Sequence, residues 1–181
     1  MGVEAKVNYF HIQDYIVGRI LNLGSPMNYQ SVGVKGYTSL PHAKLFNMAL
    51  SANYDILQHL HWKGTLMYAR ATDNKGGNLP FIRPLSYQTA LHFMHKGFGI
   101  QTSWNGDFAQ DNYSPEYGED HTPSYMIWNI SADYMFNVRN VKTSVQIGAE
   151  NLFNEYYSTY ADWGNIPRMG RNIFTSIKFN F

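Results

Sequence analysis

The end of the chain has a strict two-residue alternation of apolar and polar side chains. Odd positions from 173 to 181 carry Ile, Thr, Ile, Phe and Phe, and the even positions between them carry Phe, Ser, Lys and Asn. Because successive side chains of a β-strand point to opposite faces, this segment has one apolar face and one mostly polar face. We therefore expect a final β-strand that ends on an aromatic residue, Phe181, and lies against either lipid or a protein core.

Seven further segments alternate in the same way over lengths that suit a membrane-spanning strand. The eight predicted strands are Glu4–Ile16, His42–Tyr54, His61–Ala71, Leu85–His95, Phe98–Asn105, Ser124–Phe136, Val141–Leu152 and Arg168–Phe181. No segment sustains the apolar spacing of a capped amphipathic helix. The sequence thus predicts an all-β fold, an antiparallel meander of about eight strands.

The connections between these strands alternate in length. The short turns are Asp55–Leu60, Lys96–Gly97 and Asn137–Asn140, and the long loops are Val17–Pro41, Thr72–Pro84, Gly106–Pro123 and Phe153–Pro167. Consecutive connections of a meander lie at opposite ends of the sheet, so the short turns share one end and the long loops the other. This asymmetry is typical of outer-membrane barrels and favours an antiparallel transmembrane β-barrel over a soluble sandwich.

Composition agrees with this prediction. The net charge is +1, which gives no basic field for nucleic acid, and aromatic residues make up 16% of the chain, which suits aromatic girdles at two interfaces. The mean hydropathy of −0.36 is compatible with a barrel, because only alternate residues face lipid. No cysteine is present, which excludes disulfides and thiol chemistry.

The stretch Gly148–Asn172 resembles the C-terminal end of TonB-dependent outer-membrane receptors. The residues that carry this resemblance are Asn151, Leu152, Phe153, Tyr156, Tyr157, Pro167, Gly170, Arg171 and the final Phe181. Two earlier stretches, Leu66–Pro84 and Ala43–Ala52, resemble preceding parts of the same family. They depart from its pattern at Arg83, where a second proline is common, and at Asn47, where a glycine is usual.

The resemblance implies a receptor that imports a scarce nutrient: an iron chelate, another metal or a cobalamin-like ligand. In this family a plug inside a barrel of about 22 strands couples uptake to an inner-membrane complex. On this basis we expect residues 1–181 to form the C-terminal part of such a barrel, without the plug domain and functional only within a full-length receptor. The expected partners are outer-membrane lipid and the barrel assembly machinery, with the energy-coupling complex reached only through the missing N-terminal region. The alternative is a self-contained eight-stranded outer-membrane barrel with a structural or adhesive role.

No catalytic motif is present, neither Gly-x-Ser-x-Gly nor His-Glu-x-x-His, so we expect no enzyme activity and no cofactor. His59 and His61 are spaced so that a strand would place both on one face. We interpret them as a polar pair beside a short turn rather than as metal ligands, and we predict no metal site. Arg171 is a candidate partner for Glu150 across the last hairpin.

Candidate ligand-binding residues lie in the long loops, from which ligands of such receptors enter. They are Tyr113, Tyr117, Asp120, His121, Tyr157 and Trp163. The alternative for the aromatic residues is an outer girdle and packing between loops. We interpret Phe181, with Phe179 and Ile177 upstream, as the signal that the barrel assembly machinery reads, the alternative being an ordinary core strand.

Polar side chains occupy the other face of the predicted strands, which we expect to line the lumen. The predicted lumen-facing residues are Lys63, Gln88, His92, Gln101, Asn105, Asn129, Asp133, Lys142, Gln146, Glu150 and Lys178. Such a surface needs water, a plug or charged partners, so it argues against a small barrel that encloses an apolar ligand.

Overall fold

The computed structural model describes residues 1–21 and 34–180, apart from the side chain of Trp163. It forms one eight-stranded sheet in which the strands follow each other in chain order, all antiparallel. The strands are β1 (Gly2–Leu21), β2 (Val34–Leu57), β3 (Leu60–Asp73), β4 (Ser86–His95), β5 (Phe98–Asp107), β6 (Tyr125–Val138), β7 (Val141–Glu150) and β8 (Asn172–Asn180). The predicted all-β antiparallel meander is confirmed.

The first hairpin is longer than the sequence predicts. Residues assigned to a loop on both sides of the first connection continue the β1–β2 ladder, with Val17 opposite Thr38 and Leu21 opposite Val34. Pro41, which indicates a loop in the sequence, lies within β2 across from Asp14, where the ladder skips one pair. Proline has no N–H to donate, and Asp14 adopts a positive φ of 51°, yet the ladder resumes with Tyr15 opposite Leu40, so the strands do not end there.

The start of β8 also differs from the prediction. Arg168 begins the predicted strand, but its N–H donates to the carbonyl of Tyr157 at 2.8 Å, so it belongs to the preceding loop. The strand starts at Asn172 instead. Phe181 lies outside the described residues, whereas Ile177 and Phe179 lie on β8 with exposed side chains.

Cross-strand partners share a face of the sheet, and the register therefore assigns every strand side chain to one of two surfaces. His92 lies opposite Gln101, and Asp133 lies opposite both Gly99 and Gln146. Continued across the sheet, these pairs place all eleven predicted lumen-facing residues on one side, which we call the polar face.

The opposite surface, which we call the apolar face, carries exposed hydrophobic side chains between two rows of aromatic rings. Phe93, Phe98, Tyr134 and Phe136 lie towards the short turns, and Tyr68, Tyr87, Trp104 and Trp128 lie towards the long loops. Trp104 and Trp128 stack with their ring centroids 5.5 Å apart. At the rise of a β-strand, the separation from Phe98 to Trp104 along β5 is about 20 Å.

The sheet is open across the part of the chain that is described, since β1 pairs only with β2 and β8 only with β7. Two single-turn 3-10 helices, Pro115–Tyr117 and Trp163–Asn165, lie in the long loops. Within the described ranges, no helix has the length and apolar character needed to cross a membrane.

A small buried cluster fixes the loop between β3 and β4. Leu79 from this loop is 1% exposed and packs on Ala43 and Ala71, which lie on the polar side of β2 and β3. Its N–H also donates to the carbonyl of Ala71 at 3.1 Å. The loop is thereby folded over the polar face, and it carries Arg83 towards β5.

Candidate ligand-binding cleft

A cleft of about 300 Å³ opens on the polar face where the long loops leave the sheet. Its residues come from the β3–β4 loop, the ends of β5 and β6, and the β7–β8 loop. They are Arg83, Asn105, Asp107, Tyr125, Tyr157, Thr159, Tyr160, Ala161 and Arg168. The cleft thus joins segments that are far apart in sequence, and its position depends on the sheet register.

A buried carboxylate organises one wall of the cleft. Asp107 is 3% exposed. Its Oδ1 accepts hydrogen bonds from Nη2 and Nε of Arg83 at 2.8 and 3.1 Å, and its Oδ2 accepts one from the hydroxyl of Tyr125 at 3.0 Å. Burial alone would lower the pKa of Arg83, but the hydrogen bond and the charge of Asp107 raise it overall. Each carboxylate oxygen therefore has a donor, as a buried charge requires.

The backbone beside Asp107 explains how this wall forms. A Cβ at Gly106 would clash with the carbonyl oxygen of Tyr125 and approach the Tyr87 hydroxyl to 2.9 Å, so the close approach of β5 and β6 requires glycine. Glu119, which is 8% exposed, ties the neighbouring loops together. Its carboxylate accepts the N–H groups of Phe81 at 2.5 Å and Ser114 at 2.9 Å.

The second wall is a compact turn in the β7–β8 loop. Oδ2 of Asp162 accepts hydrogen bonds from the N–H and hydroxyl of Thr159 at 2.7 and 2.8 Å and from Nε of Arg168 at 2.7 Å. Burial raises the pKa of Asp162, but these hydrogen bonds lower it by more, so its pKa is below the ordinary value. The hydrogen bond between Asp162 and Arg168 also raises the pKa of Arg168. Both groups stay ionised near neutral pH.

Tyr157 connects the two walls. Its ring packs on that of Tyr125 with the centroids 4.6 Å apart, and its carbonyl accepts the N–H of Arg168. Two guanidinium groups and several phenol groups consequently surround the cleft. Each guanidinium group is paired with a carboxylate, so these pairs add no net charge, and their remaining N–H groups together with the aromatic faces suit an oxygen-rich ligand.

The structure separates the six ligand-binding residues predicted from the sequence. Five of the six have described side chains, and among these five Tyr157 is the one that lines the cleft. Tyr117 is 3% exposed, which places its side chain in loop packing, and burial raises its pKa. Tyr113 contacts His121 edge to face at 6.2 Å, and Asp120 is exposed to solvent. Trp163 lies in a 3-10 turn, but its side chain is outside the described part.

The loops that carry these residues are nevertheless joined through one side chain, Asn165. Its Oδ1 accepts the hydroxyls of Thr122 at 3.2 Å and Ser158 at 3.1 Å, and its Nδ2 donates to the carbonyl of His121 at 3.0 Å. The His121 segment is therefore held against the loop of Tyr157, although the imidazole itself does not line the cleft.

Sequence reasoning missed most of the cleft, namely Arg83, Asp107, Tyr125 and Arg168. The signal for two of them was available, because Asp107 and Tyr125 continue the polar-face parity of Asn105 and Asn129, Asp107 by one step along β5 and Tyr125 by two along β6. In the sequence, Arg83 stands out only as a departure from the family pattern. Its partner could not be identified without the fold of the β3–β4 loop.

Two other pairings differ from expectation or refine it. Glu150 accepts a hydrogen bond from Nδ2 of Asn172 at 3.0 Å, its register partner, in place of the predicted pairing with Arg171. His61 contacts Asp55 at 2.5 Å, while the ring of His59 lies 4.7 Å from that of His95, so the two histidines have separate partners. Within residues 1–21 and 34–180, no group of three or more His, Cys, Asp or Glu residues could hold a metal ion.

Comparison with known proteins agrees with this architecture. A search of curated protein sequences finds no match. Among solved structures, the chain is similar to one described as "Copper transporter OprC", with a TM-score of 0.83 and 19% sequence identity over 99% of this chain and 29% of that one. The chain thus spans less than a third of the length of that structure. A family model described as "TonB dependent receptor-like, beta-barrel" matches residues 2–152. The chain therefore belongs to the TonB-dependent receptor-like β-barrel family.

Proposed function

We propose that this chain acts as the barrel portion of a bacterial outer-membrane receptor that imports a scarce nutrient. The observation that carries the proposal is the two-sided sheet, with a continuous apolar face between aromatic rows and a polar face that holds the cleft. The two aromatic rows lie about 20 Å apart along β5, and aromatic girdles flank the lipid-facing band of outer-membrane barrels in the same way. In this orientation the apolar face contacts lipid and the polar face lines the lumen.

The chemistry of the cleft supports an oxygen-rich ligand. Arg83 and Arg168 present guanidinium groups, and Tyr125, Tyr157 and Tyr160 present phenols around about 300 Å³. A metal chelate with carboxylate or phenolate oxygens suits these donors better than an apolar molecule does. An iron chelate is the first candidate. The other candidate ligands are other metals, including copper as in the structurally similar transporter, and a cobalamin-like molecule.

The partners follow from the same proposal. Outer-membrane lipid covers the apolar face, and the barrel assembly machinery reads the final strand through Ile177, Phe179 and Phe181. Energy reaches the receptor through an inner-membrane complex that acts on a plug inside the barrel, outside residues 1–181. The alternative of a self-contained eight-stranded barrel requires β1 to pair with β8, whereas each of these strands has one neighbour in the described sheet. An open edge in lipid would leave backbone groups unpaired, so further strands are expected to complete the barrel.

Uptake by cells that contain or lack the receptor tests this function. We expect import of one radiolabelled ligand among ferric chelates, cupric ion and cobalamin to depend on the gene and on an active energy-coupling complex. Tyr157→Ala should lower uptake several-fold at limiting ligand, because it removes an aromatic face from the cleft. Tyr156→Ala is the matched control, since the neighbouring ring is 81% exposed and does not line the cleft. Equal uptake of every ligand with and without the gene would contradict the proposal.

A further inference from the structure

A long groove runs along the apolar face at β7, next to the final hairpin. Val141, Thr143 and Val145 form its floor, and larger side chains of β6 and β8 form its walls. The register explains this shape, because Thr143 lies directly between Phe136 and Phe179. The groove is shallow and open to its surroundings, with a volume of about 760 Å³, and extends about 13 Å from Val141 to Val145 at the rise of a strand.

The floor of the groove contains a hydroxyl group with no partner. Thr143 is 4% exposed, and its Oγ1 makes no hydrogen bond within the described structure. Two other threonines of the apolar face differ in this respect. Thr89 accepts the indole N–H of Trp62 at 2.8 Å, and Thr102 accepts that of Trp128. An unpaired hydroxyl is unfavourable in an apolar surrounding. A bound molecule with a hydrogen-bonding group near Thr143 would therefore be favoured, since the described strands supply no partner for its hydroxyl.

A cation lies at the short-turn end of the groove. Arg139 lines it from the β6–β7 turn, is exposed, and makes no ion pair with another described residue. Its φ is 55°, a conformation that favours glycine. In the orientation proposed above, this turn lies at the level of lipid headgroups, where arginine interacts with phosphate.

We propose that the groove binds one anionic phospholipid of the leaflet at the short-turn end. An acyl chain lies along β7 between Phe136 and Phe179, and the phosphate accepts hydrogen bonds from Arg139. Rotation of Thr143 about χ1 then lets its hydroxyl donate to an ester oxygen near the start of the chain. This assignment rests on the proposed placement of the apolar face in a membrane.

Charge and shape favour this occupant over a protein segment. The groove combines an unpaired cation at one end with an apolar trough, which matches the headgroup and acyl chain of a phospholipid. A further β-strand would pair with the edge of β8, where backbone groups are free, and not with the face that bears the groove. The test must therefore distinguish a bound phospholipid from a second protein copy or the assembly machinery in the groove.

The test measures lipid retention by the full-length receptor in nanodiscs that contain phosphatidylglycerol in excess phosphatidylcholine. Native mass spectrometry after gentle delipidation should detect one retained phosphatidylglycerol. Arg139→Gly should weaken retention of phosphatidylglycerol about fivefold, the effect of one arginine near a charged headgroup. Glycine adopts the positive φ at position 139 readily, so this substitution does not strain the turn. Lys96→Gly is the matched control, because Lys96 is an exposed cation in the neighbouring short turn, also with a positive φ, outside the groove. Thr143→Val keeps the shape of the floor and should weaken retention less than Arg139→Gly.

The inference is wrong if Arg139→Gly and Lys96→Gly retain phosphatidylglycerol equally, or if phosphatidylcholine is retained as well. A photo-crosslinker at Val138 that captures a second receptor copy or an assembly protein instead of lipid would also overturn it. These results leave the proposed import function intact, since uptake is measured separately. Failure of the receptor to enter the nanodisc would contradict both.

Discussion

Replacing Asp107 with asparagine should open the cleft wall without unfolding the sheet. The substitution keeps the size of the side chain but removes the charge that binds Arg83 and Tyr125. A hydrogen bond to a charged group contributes roughly 1.5–3 kcal/mol. The contact with Arg83 counts for less, because its side chain is 41% exposed and water competes for it. Asparagine also retains one acceptor, so we expect a net cost of about 1.5–3 kcal/mol for the local contacts.

Hydrogen exchange of the receptor in nanodiscs measures this cost as a change in local opening. Exchange in the β3–β4 loop should rise roughly 10- to 100-fold, while the centres of β3 and β4 remain protected. Asp111→Asn is the matched control, since Asp111 is in the next loop with a side chain 76% exposed and should change exchange less than about twofold. If Asp107→Asn behaves like Asp111→Asn, the buried carboxylate does not hold the cleft, and the reasoning is refuted.

Three further predictions concern other contacts. The pKa of Asp162 lies below its ordinary value of 3.8, so its contacts with Arg168 and Thr159 stabilise the β7–β8 loop above pH 3.8 and are lost as the pH falls through the lowered pKa. Proteolysis of this loop should therefore accelerate at low pH, and Asp162→Asn should be cleaved readily at every pH. A cleavage rate of the unsubstituted loop that does not change with pH would contradict this. Gly106→Ala should lower the yield of folded receptor on heat-modifiability gels, because its Cβ meets the Tyr125 carbonyl, whereas Gly76→Ala meets no atom and should cost only about 1 kcal/mol from its positive φ. Thr102→Val removes the acceptor of the Trp128 indole and should lower the unfolding free energy in urea by about 0.6 kcal/mol, with exposed Thr175→Val as the control.

The strands and their faces were predictable because a period of two is a local property of the sequence. The alternation around Gln146 and Asp133 assigns each side chain to a face, and the register merely aligns those faces across the sheet. The length of the first hairpin differs from the prediction because Pro41 indicates a loop in the sequence. A single missing backbone N–H can be accommodated within a strand where the ladder skips a pair, as it does at Pro41.

The cleft was harder to predict because its contacts depend on how the loops fold. Arg83 reaches Asp107 only because Leu79 anchors its loop on Ala43 and Ala71. The sequence predicts Tyr117 as a ligand-binding residue, but its side chain is only 3% exposed and does not line the cleft. Residue type identifies chemistry that a loop could perform, whereas burial and partners are set by long-range packing.

The most direct test of the account is the environment of alternate residues along β7. Residues 1–181 contain no cysteine, so single cysteines can be placed at Ser144, Val145, Gln146, Ile147 and Ala149 without a competing thiol in this part of the receptor, and spin-labelled in nanodiscs. Labels at Val145, Ile147 and Ala149 should be accessible to oxygen dissolved in lipid, and labels at Ser144 and Gln146 to a water-soluble nickel chelate. Gly148 is left unchanged, because a Cβ there would meet the ring of Phe174 at 2.6 Å. A smooth profile without this two-residue period, or water access on both faces, would contradict the proposed two-sided membrane sheet.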